Sequence, residues 1–437
     1  MRLTSGIGSA AALAAIALLA TSCSGEAGGQ AAEPTGPVEL TFWAWAPAIE
    51  KVVDKWNAEN PDIQVTVNKQ DGGDPAVTKL LTAVEAGSGA PDLMQAEYQK
   101  IPQLVSAGAL ADLSGEISED TPGHFADGVW DAVTLGSDAV YAVPQDSGPM
   151  QFYYRADIFE KYDLEVPATW DDYADVAREL RKKDPDAYLG TFSSNDAGWF
   201  AGLTQQAGAS WYGIDGDAWS VNIDGPEVTK VAEYWGGLVQ EGVIDNAPMY
   251  TPAWNKGLND GTQVGWLSAI WAPGVLEGNA PDTAGKWEMA PMPQWDEGAP
   301  ATGTWGGSAT AVTSQSEYPA QAAEFVQWLN TDPIAVQALV DESGLYPADV
   351  PGAEKALSEP PEFFSNQENF YEIAADSAAT TQAFTYGPNI NVAFSAYNDE
   401  FAKATEAATE EAFVDAVSAI QDATVADLES SGFTVAE

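Results

Sequence analysis

The sequence predicts an α/β fold, because strand-like and helix-like patterns of apolar residues alternate along the chain. Apolar residues take every second position over residues 38–42 and again over 63–67, which is the period of a β-strand. Over residues 49–56 and 77–84 they recur at the i, i+3, i+4, i+7 spacing of an amphipathic helix. A succession of strand, helix, strand and helix is typical of the α/β class.

The same alternation continues further along the chain. A short strand is predicted at residues 92–94, followed by a helix around 101–105. Residues 169–172 form a capping-box-like Thr-x-x-Asp sequence, and apolar residues at helical spacing follow it. Helical spacing returns over 322–329 and 413–420. We find no internal repeat.

Length and composition restrict the possible functions. With 437 residues, of which 45% are hydrophobic, the chain is long enough for two packed lobes. It has 17 lysines and arginines against 66 aspartates and glutamates, which gives a net charge of -49. This charge repels phosphate backbones and so excludes a nucleic-acid-binding protein. It also favours a neutral or cationic ligand over an anionic one.

Two scarce residue types exclude further chemistry. Cys23 is the single cysteine and His124 the single histidine, so neither an intramolecular disulfide nor a zinc site of cysteines and histidines can form. Residues 71–74, Asp-Gly-Gly-Asp, lack the register of an EF-hand calcium loop, and we interpret them as a turn. The sequence predicts no metal site and no bound cofactor.

The amino terminus has the pattern of an export signal. A charged start precedes an apolar run over residues 7–20, which is too short to span a bilayer as a mature helix. With Leu19–Cys23 as its lipobox, the segment resembles a bacterial lipoprotein signal. The resemblance implies a signal peptide over residues 1–22 and lipidation of Cys23, which would anchor the secreted protein to the outer face of the cell membrane. The alternative is a plain secretory signal with an incidental cysteine.

The segment that follows Cys23 predicts a flexible tether. Residues 23–37 are rich in glycine, alanine and proline and lack apolar periodicity. We therefore expect the folded part to begin near Val38.

Several short segments of the folded part carry a family resemblance through their order and spacing. They are Phe42–Trp45 with Trp56 and Asn57, Ala90–Tyr98, Gly108–Leu113, Tyr141–Pro144, Phe152–Phe159 and Pro167–Tyr173. Together they resemble the family 1 extracellular solute-binding proteins of carbohydrate ABC importers, the group that includes maltose-binding protein. Arg155 and Ala156 stand where the family often has Asn-Lys, and the large acidic excess is a second departure.

The resemblance implies two α/β lobes of the periplasmic-binding-protein-like fold, type II, joined by a hinge, with the ligand in the cleft between them. Proline and glycine interrupt the pattern where the chain would cross between lobes, near Pro144, at 291–303 and at 344–351. Each lobe is therefore discontinuous. The predicted boundaries are 38–143 and 299–347 for lobe 1, and 144–298 and 348–437 for lobe 2, whose last part is helical.

The function implied by the resemblance is solute capture and not catalysis. A monomer would close its lobes on a neutral mono- or oligosaccharide and deliver it to the permease of an ABC importer. Its own sequence has no Walker A motif, so separate subunits would hydrolyse ATP. Two alternatives stay open: a binding protein for cationic or peptide solutes, and a secreted glycoside hydrolase, which needs only two suitably spaced carboxylates.

Side chains that follow predicted strands are the first candidates to contact the ligand. A sugar offers C–H groups on one face and hydroxyl groups around its rim, which suits aromatic rings combined with carboxylates and amides. Trp45 follows the first strand, and Glu97 and Tyr98 follow a later one, where open α/β sheets place their ligands. Gln145 and Asp146 follow the first predicted crossing.

A second set of candidates lies in loop-like contexts rich in glycine, alanine or proline. Sixteen tryptophans provide a large supply of flat rings, although those within helical apolar stripes are expected in the core. Glycines after Trp305 permit close approach of the backbone to a ligand. The candidates of this set are Trp199, Trp211, Trp271, Trp305, Gly307 and Ser308, together with Tyr386 and Asn389, which lie near Gly387 and Pro388.

Overall fold

The computed structural model describes residues 36–70, 72–216 and 218–436. Residues 37–437 form one compact unit. The predicted signal peptide, Cys23 and nearly all of the predicted tether lie outside the described residues.

Strands and helices alternate along this unit, as the sequence predicts. The strands are β1 (Val38–Ala44), β2 (Ile63–Lys69), β3 (Leu93–Glu97), β4 (Ala142–Arg155), β5 (Tyr212–Asp215), β6 (Ala218–Val221), β7 (Gly265–Ala269), β8 (Trp287–Pro291) and β9 (Thr304–Val312). The helices are α1 (Ile49–Glu59), α2 (Asp74–Glu85), α3 (Ile101–Ser106), α4 (Asp127–Thr134), α5 (Ala156–Tyr162), α6 (Trp170–Lys183), α7 (Ala197–Gln206), α8 (Pro226–Glu241), α9 (Pro252–Asp260), α10 (Ala272–Asn279), α11 (Pro319–Thr331), α12 (Pro333–Ser343), α13 (Val350–Ala356), α14 (Phe370–Ala378), α15 (Ile390–Ala407) and α16 (Glu410–Ser430).

Local sequence explains where several of these elements begin and which face they bury. The hydroxyl of Thr169 accepts a hydrogen bond from the backbone N–H of Asp172, and the Asp172 carboxylate accepts one from the backbone of Thr169. This capping box satisfies two N–H groups that the first turn of α6 would otherwise leave without partners. In α1, the apolar stripe from Ile49 to Trp56 is buried, as its helical spacing predicts.

One mixed sheet runs through the molecule. Its strand order is β2-β1-β3-β9-β4-β7, and β8 pairs with β4 as well. The first strand pairs in parallel with β2 and β3, whereas β9 is antiparallel to both β3 and β4. The long strand β4 pairs with β9 along its first half and with β7 and β8 along its second half. This strand therefore links the two ends of the sheet.

The buried apolar side chains fall into two clusters, one at each end of β4. The first core contains residues from 38–143 and 309–348, and the second contains residues from 150–305 and 363–428. Tyr386 packs against both. Segments distant in the chain meet in each cluster: Phe42 and Trp56 contact Phe325 edge to face in the first core. Among the described residues, no helix is both long enough and apolar enough to cross a membrane.

Candidate functional site

A cavity of about 300 Å³ lies between the two cores. Its walls come from the end of β3, the start of α7, the glycine-rich part of β9 and the first half of α15. The lining residues are Glu97, Gln99, Asn195, Asp196, Ala197, Gly198, Trp305, Gly306, Tyr386, Phe394 and Asn398. Three of these, Glu97, Trp305 and Tyr386, are among the predicted ligand contacts.

The first wall is built where strands of the sheet end. Glu97 is the last residue of β3, and Trp45 directly follows β1, which pairs with β3. The indole of Trp45 is half-buried and lies over Gly72, where a Cβ atom would come within 3.1 Å of the ring. A Cβ on the next glycine, Gly73, would lie 3.8 Å from the Glu97 carboxylate. Trp45 and Glu97 thus both lie beside the Gly72–Gly73 segment, and of the two only Glu97 lines the cavity.

A chain of hydrogen bonds joins this wall to the strand that links the cores. The buried Gln95 accepts hydrogen bonds from the backbone N–H groups of Trp45 and Ala46, at 3.0 Å each. Its amide donates at 2.9 Å to the hydroxyl of Ser308, which in turn donates to the carboxylate of Asp146. Burial raises the pKa of Asp146 to about 6, despite the hydrogen bonds from Ser308.

Gly307 permits the close packing of β4 and β9 at this point. Its φ of +95° lies in the left-handed region that favours glycine. A Cβ atom there would lie 2.8 Å from the Tyr98 ring and 3.1 Å from the carbonyl oxygen of Asp146. The hydroxyl of Tyr98 donates a 2.9 Å hydrogen bond to that same carbonyl. Tyr98, Asp146, Gly307 and Ser308 therefore form a polar seam where β4 pairs with β9.

The second wall begins at the amino terminus of α7. Asp196 caps this helix and accepts a 3.1 Å hydrogen bond from the backbone of Trp199. Burial raises the pKa of Asp196 to about 6, although hydrogen bonds from Trp199, from the Trp305 indole and from Gly198 act to lower it. Gly198 leaves room for that indole, since a Cβ there would lie 3.2 Å from the Trp305 ring.

An aromatic cluster supports this second wall. Trp305 and Trp271 meet edge to face with ring centroids 4.6 Å apart, and the Trp271 indole donates to the carbonyl oxygen of Trp305 at 2.9 Å. Tyr250 lies beside them, with its ring centroid 6.4 Å from that of Trp305. It is 41% exposed and has a φ of +64°, which is uncommon for a residue other than glycine. Its ring thus packs against the aromatic cluster while remaining partly exposed to solvent.

Three predicted ligand contacts lie in the interior instead. Trp199 belongs to helix α7 and not to a loop, and its indole donates to the carbonyl oxygen of Leu267. Trp211 is completely buried and donates to the hydroxyl of Thr204. Gln145 is 1% exposed and accepts a hydrogen bond from Thr310 on β9. These side chains are therefore structural in this conformation, because Trp199 and Trp211 are enclosed by the second core and Gln145 is buried where β4 pairs with β9.

The weaker candidate Asn389 is also a structural residue. Its side chain accepts a hydrogen bond from Tyr212 and donates to the carbonyl oxygen of Thr424 and the carboxylate of Asp427. These bonds tie the start of α15 to α16. The amide is thereby occupied within the second core.

Sequence reasoning missed the residues that α7 and α15 bring to the cavity, and it missed Tyr250, which packs beside Trp305. Asn195 and Asp196 directly precede α7, and asparagine and aspartate are residue types that favour the N-cap position of a helix. Asn398 lies mid-helix in α15, and nothing in its local sequence distinguishes it from other exposed polar residues. Tyr250 follows a proline-containing loop without a recognisable pattern.

The electrostatic character of the cavity is acidic and polar. Glu97 and Asp196 contribute carboxylates from opposite walls, and the described lining residues include no lysine or arginine. Within the part of the chain that the structure describes, no group of three or more histidine, cysteine, aspartate or glutamate side chains is placed to hold a metal ion. The site can accept hydrogen bonds from hydroxyl groups and cover an apolar face, but it offers no counter-charge to an anion.

Comparison with protein families places this architecture among known proteins. Residues 44–336 match the family model of the bacterial extracellular solute-binding proteins. This match covers most of the first core, the linking strands and the cavity residues up to Gly306.

Curated relatives and a solved structure are similar over most of the chain. An arabinooligosaccharide-binding protein of Halalkalibacterium halodurans is 26% identical over 67% of this chain and 67% of its own length. A lactose-binding protein of Rhizobium radiobacter is 28% identical over 80% of this chain and 84% of its own length. The galacto-N-biose and lacto-N-biose I-binding protein of an ABC transporter from Bifidobacterium longum, solved with lacto-N-biose, is 30% identical with a TM-score of 0.79 and covers 92% of this chain and 100% of that protein.

Proposed function

We propose that this chain, which belongs to the bacterial extracellular solute-binding protein family, captures a neutral sugar between two lobes and delivers it to an ABC importer. The relatives described above are named for binding oligosaccharides or disaccharides, and one of them belongs to an ABC transporter. A neutral oligosaccharide or disaccharide is therefore the ligand class that this family membership favours.

The observation that carries the proposal is the composition of the cavity between the cores. Trp305, Tyr386 and Phe394 supply aromatic surface, and Glu97 and Asp196 supply carboxylate acceptors on opposite walls. Aromatic rings pack on the C–H face of a sugar while carboxylates and amides accept its hydroxyl hydrogens. A neutral polyol satisfies both kinds of surface at once.

We assign the ligand contacts to the residues that line or border this cavity. Trp45, Glu97, Trp305 and Tyr386 keep the role predicted from the sequence, and Trp271 supports Trp305 from behind. Tyr98, Asp146, Gly307 and Ser308 form the polar seam beneath the site. Asn195, Asp196, Tyr250 and Asn398 are added to the proposed site.

The proposed mechanism is closure of one lobe on the other. We assign the first core to lobe 1 and the second core to lobe 2, with β4 and β9 as hinge strands. Lys100, beside the first core, donates a hydrogen bond to Asn391 at the start of α15, and Asn391 donates to Gln103 at 3.3 Å. Such contacts across the cleft would stabilise the closed, ligand-holding conformation.

The remaining features of the proposal concern chemistry and location. The family consists of extracellular binding proteins, and we propose that this chain likewise returns its ligand unchanged and is not an enzyme. We further propose that it acts as a monomer that is held at the outer face of the membrane by lipid on Cys23. The lipid would keep the protein close to the permease that receives the sugar.

A thermal-shift screen of residues 37–437 against neutral mono- and oligosaccharides tests the proposal, with amino acids, peptides and polyamines as controls. A ligand at 100 times its Kd adds about 2.7 kcal/mol to the free energy of unfolding, which is readily measured. We expect a shift with a neutral sugar that chromatography then recovers intact. Shifts with polyamines or peptides alone would replace the sugar by a cationic or peptide solute, and breakdown of the sugar would identify a hydrolase.

A further inference from the structure

A second cavity, of about 320 Å³, lies on the opposite side of the linking strand from the proposed sugar site. In β4, the side chain of Asp146 contacts Ser308 beneath the sugar site, and the next residue, Ser147, lines the second cavity. In the regular part of β4, Met150 lies against Gly202 of α7, whereas the next residue, Gln151, accepts a hydrogen bond from Ser377 of α14, so these helices pack on opposite faces of the strand. The second cavity therefore lies behind the hinge, where it shares no lining residue with the first.

The walls of this rear cavity come from both sides of the hinge. Val129 of α4 belongs to the first core, whereas Tyr371 of α14 packs against the second. Between them runs the segment 346–348, whose Tyr346 carbonyl accepts a 3.0 Å hydrogen bond from the backbone of Ser147. A molecule in this cavity would contact both lobes and the hinge together.

Most of the rear cavity is apolar. Valine and alanine side chains of α4, α13 and α14 form its floor, together with Pro347, Leu357 and Pro360 from the segments between the helices. Val350, one of these, is 39% exposed, which is unusual for a large apolar side chain in this structure. A small hydrophobic group that binds here would displace water from this apolar surface, which favours binding.

The rim of the rear cavity is acidic and aromatic. Glu354, Glu368 and Glu372 stand around it, and the described lining residues include no lysine or arginine. Tyr346 and Tyr371 add two phenol rings. Burial raises the pKa of the Tyr346 hydroxyl, and the nearby Tyr371 and Glu354 act in the same direction. Carboxylates together with aromatic faces attract an organic cation, and they repel an anion.

From this combination of shape and charge, we infer that the cavity behind the hinge is a second ligand site, which binds a small amphipathic cation with an apolar body and an ammonium group. The apolar body occupies the floor between α4 and α14, and the ammonium group faces the glutamates and tyrosines of the rim. This ligand is distinct from the proposed sugar in both charge and polarity.

Occupancy of the rear site favours the conformation that the structure displays. A ligand stabilises the conformation whose site fits it, and the walls of the rear cavity belong to elements that move apart or together when the lobes rotate. In this conformation the lobes touch through Lys100 and Asn391. The bound cation is therefore expected to stabilise that contact from the other side of the hinge.

Binding of phenethylammonium to residues 37–437, measured by isothermal titration calorimetry, tests the inference without reference to any sugar. We expect phenethylammonium to bind about fivefold more tightly than phenethyl alcohol, since exposed carboxylates each contribute at most about 1 kcal/mol. Phenylacetate should not bind. Equal binding of the cation and the alcohol, or no binding of the cation, would overturn the assignment.

Paired variants locate the binding. Ala375→Phe places a ring in the rear cavity and should abolish binding, whereas Ala402→Phe, at an exposed position of α15, should leave it unchanged. The double variant Glu354→Gln with Glu372→Gln should weaken the binding of phenethylammonium and leave the binding of phenethyl alcohol unchanged. Glu233→Gln with Glu324→Gln, which removes two exposed charges elsewhere, is the matched control. Binding that survives Ala375→Phe in a folded protein would place the cation elsewhere and contradict the proposal.

Amide hydrogen exchange tests the effect on the lobes. Exchange in the segments that contain Lys100 and Asn391 should slow when phenethylammonium is added, and Ala375→Phe should remove the effect of the probe. Unchanged exchange at saturating probe would overturn the coupling to lobe contact. Failure of the sugar screen would leave these outcomes unaffected, so the two proposals are tested separately.

Discussion

The Trp271 indole donates a 2.9 Å hydrogen bond to the carbonyl oxygen of Trp305, and the two rings meet edge to face at 4.6 Å. This pairing fixes the Trp305 ring against Gly198 and the Asp196 carboxylate, where it lines the cavity between the cores. The orientation of the cavity wall therefore depends on a contact between β9 and the residue that precedes α10. Five predictions follow from this and related contacts.

Replacing Trp305 by alanine should weaken sugar binding by about 1 to 3 kcal/mol, because the variant loses the aromatic surface of the cavity. Titration calorimetry with the sugar identified in the screen measures the change. Trp219→Ala, on the β5-β6 hairpin, is a tryptophan control that should keep the wild-type Kd. An unchanged Kd in folded Trp305→Ala protein would remove Trp305 from the site.

Sugar affinity should fall as the pH drops below about 6, since Asp196 then becomes protonated and loses an acceptor for ligand hydroxyls. Asp196→Asn keeps the helix cap of α7, because asparagine also caps well, but it does not titrate. The Kd of the variant should therefore be nearly constant between pH 5 and about pH 8, which calorimetry across this range would measure. A wild-type Kd without pH dependence would argue against a ligand contact by the carboxylate.

Asp146 should make the protein less stable as the pH rises through its titration. Its pKa in the folded state, about 6, lies above the ordinary value of 3.8 for an aspartate, so between these values the folded state retains a proton that the unfolded state has lost. The free energy of unfolding therefore decreases with rising pH in this window, by up to about 3 kcal/mol for a shift of this size. Urea unfolding between pH 4 and about pH 7 should show a flatter curve for Asp146→Asn than for wild type. Asp54→Asn, at an exposed position of α1, is the control, and an identical pH dependence in wild type and Asp146→Asn would contradict the burial of a titrating carboxyl.

Gly307→Ala should destabilise the fold more than a glycine substitution in open space. The new methyl group would lie 2.8 Å from the Tyr98 ring and 3.1 Å from the Asp146 carbonyl, in addition to the backbone strain at a φ of +95°. Gly242 also has a positive φ, of +70°, but no atom lies within 4 Å of its added Cβ. Gly242→Ala therefore measures the strain alone, about 1 kcal/mol, and Gly307→Ala should cost about 1 to 3 kcal/mol beyond it. Equal midpoints of chemical unfolding for Gly307→Ala and Gly242→Ala would show that the structure around Gly307 has room for a methyl group.

Asn391→Ala should speed the release of bound sugar. The variant loses the hydrogen bonds that join Asn391 to Lys100 and Gln103 across the cleft. Hydrogen bonds of this kind contribute about 1 kcal/mol each, so the loss of both costs about 2 kcal/mol and release should accelerate about 30-fold. Stopped-flow tryptophan fluorescence would follow it, with Asn366→Ala, on the far side of the second core, as the control. A release rate equal to that of wild type would show that this contact does not hold the lobes together.

The sequence by itself determined the α/β class, because apolar periodicity of 2 or 3.6 residues is a local property. The helix at 49–56 and the strand at 63–67 appear where the pattern predicts them, and the capping box at Thr169 begins α6. The segment resemblance likewise led to the solute-binding family that the comparison supports.

Part of the proposed site could also be predicted, because some of its residues lie at the ends of strands that the sequence pattern predicts. Trp45 and Glu97 directly follow or end neighbouring parallel strands, whose carboxyl ends meet at one edge of the sheet. Trp305 could be predicted as a site residue because the glycines that follow it permit close approach of the backbone to a ligand. These signals are contained within a few residues of sequence.

Only the tertiary structure decided which aromatic and polar side chains face the cavity. Trp199 and Trp211 stand among residues that resemble those around Trp271, yet both are enclosed by the second core. Helix α7 packs with Trp199 towards Phe192 and Trp235, and Trp211, which precedes β5, packs against Phe384. Asp196 and Asn398 reach the cavity because α7 and α15 pack beside each other. Tyr250 belongs to a loop and packs beside Trp305. The orientation of a side chain relative to a distant wall depends on packing between elements far apart in sequence, and no local pattern encodes it.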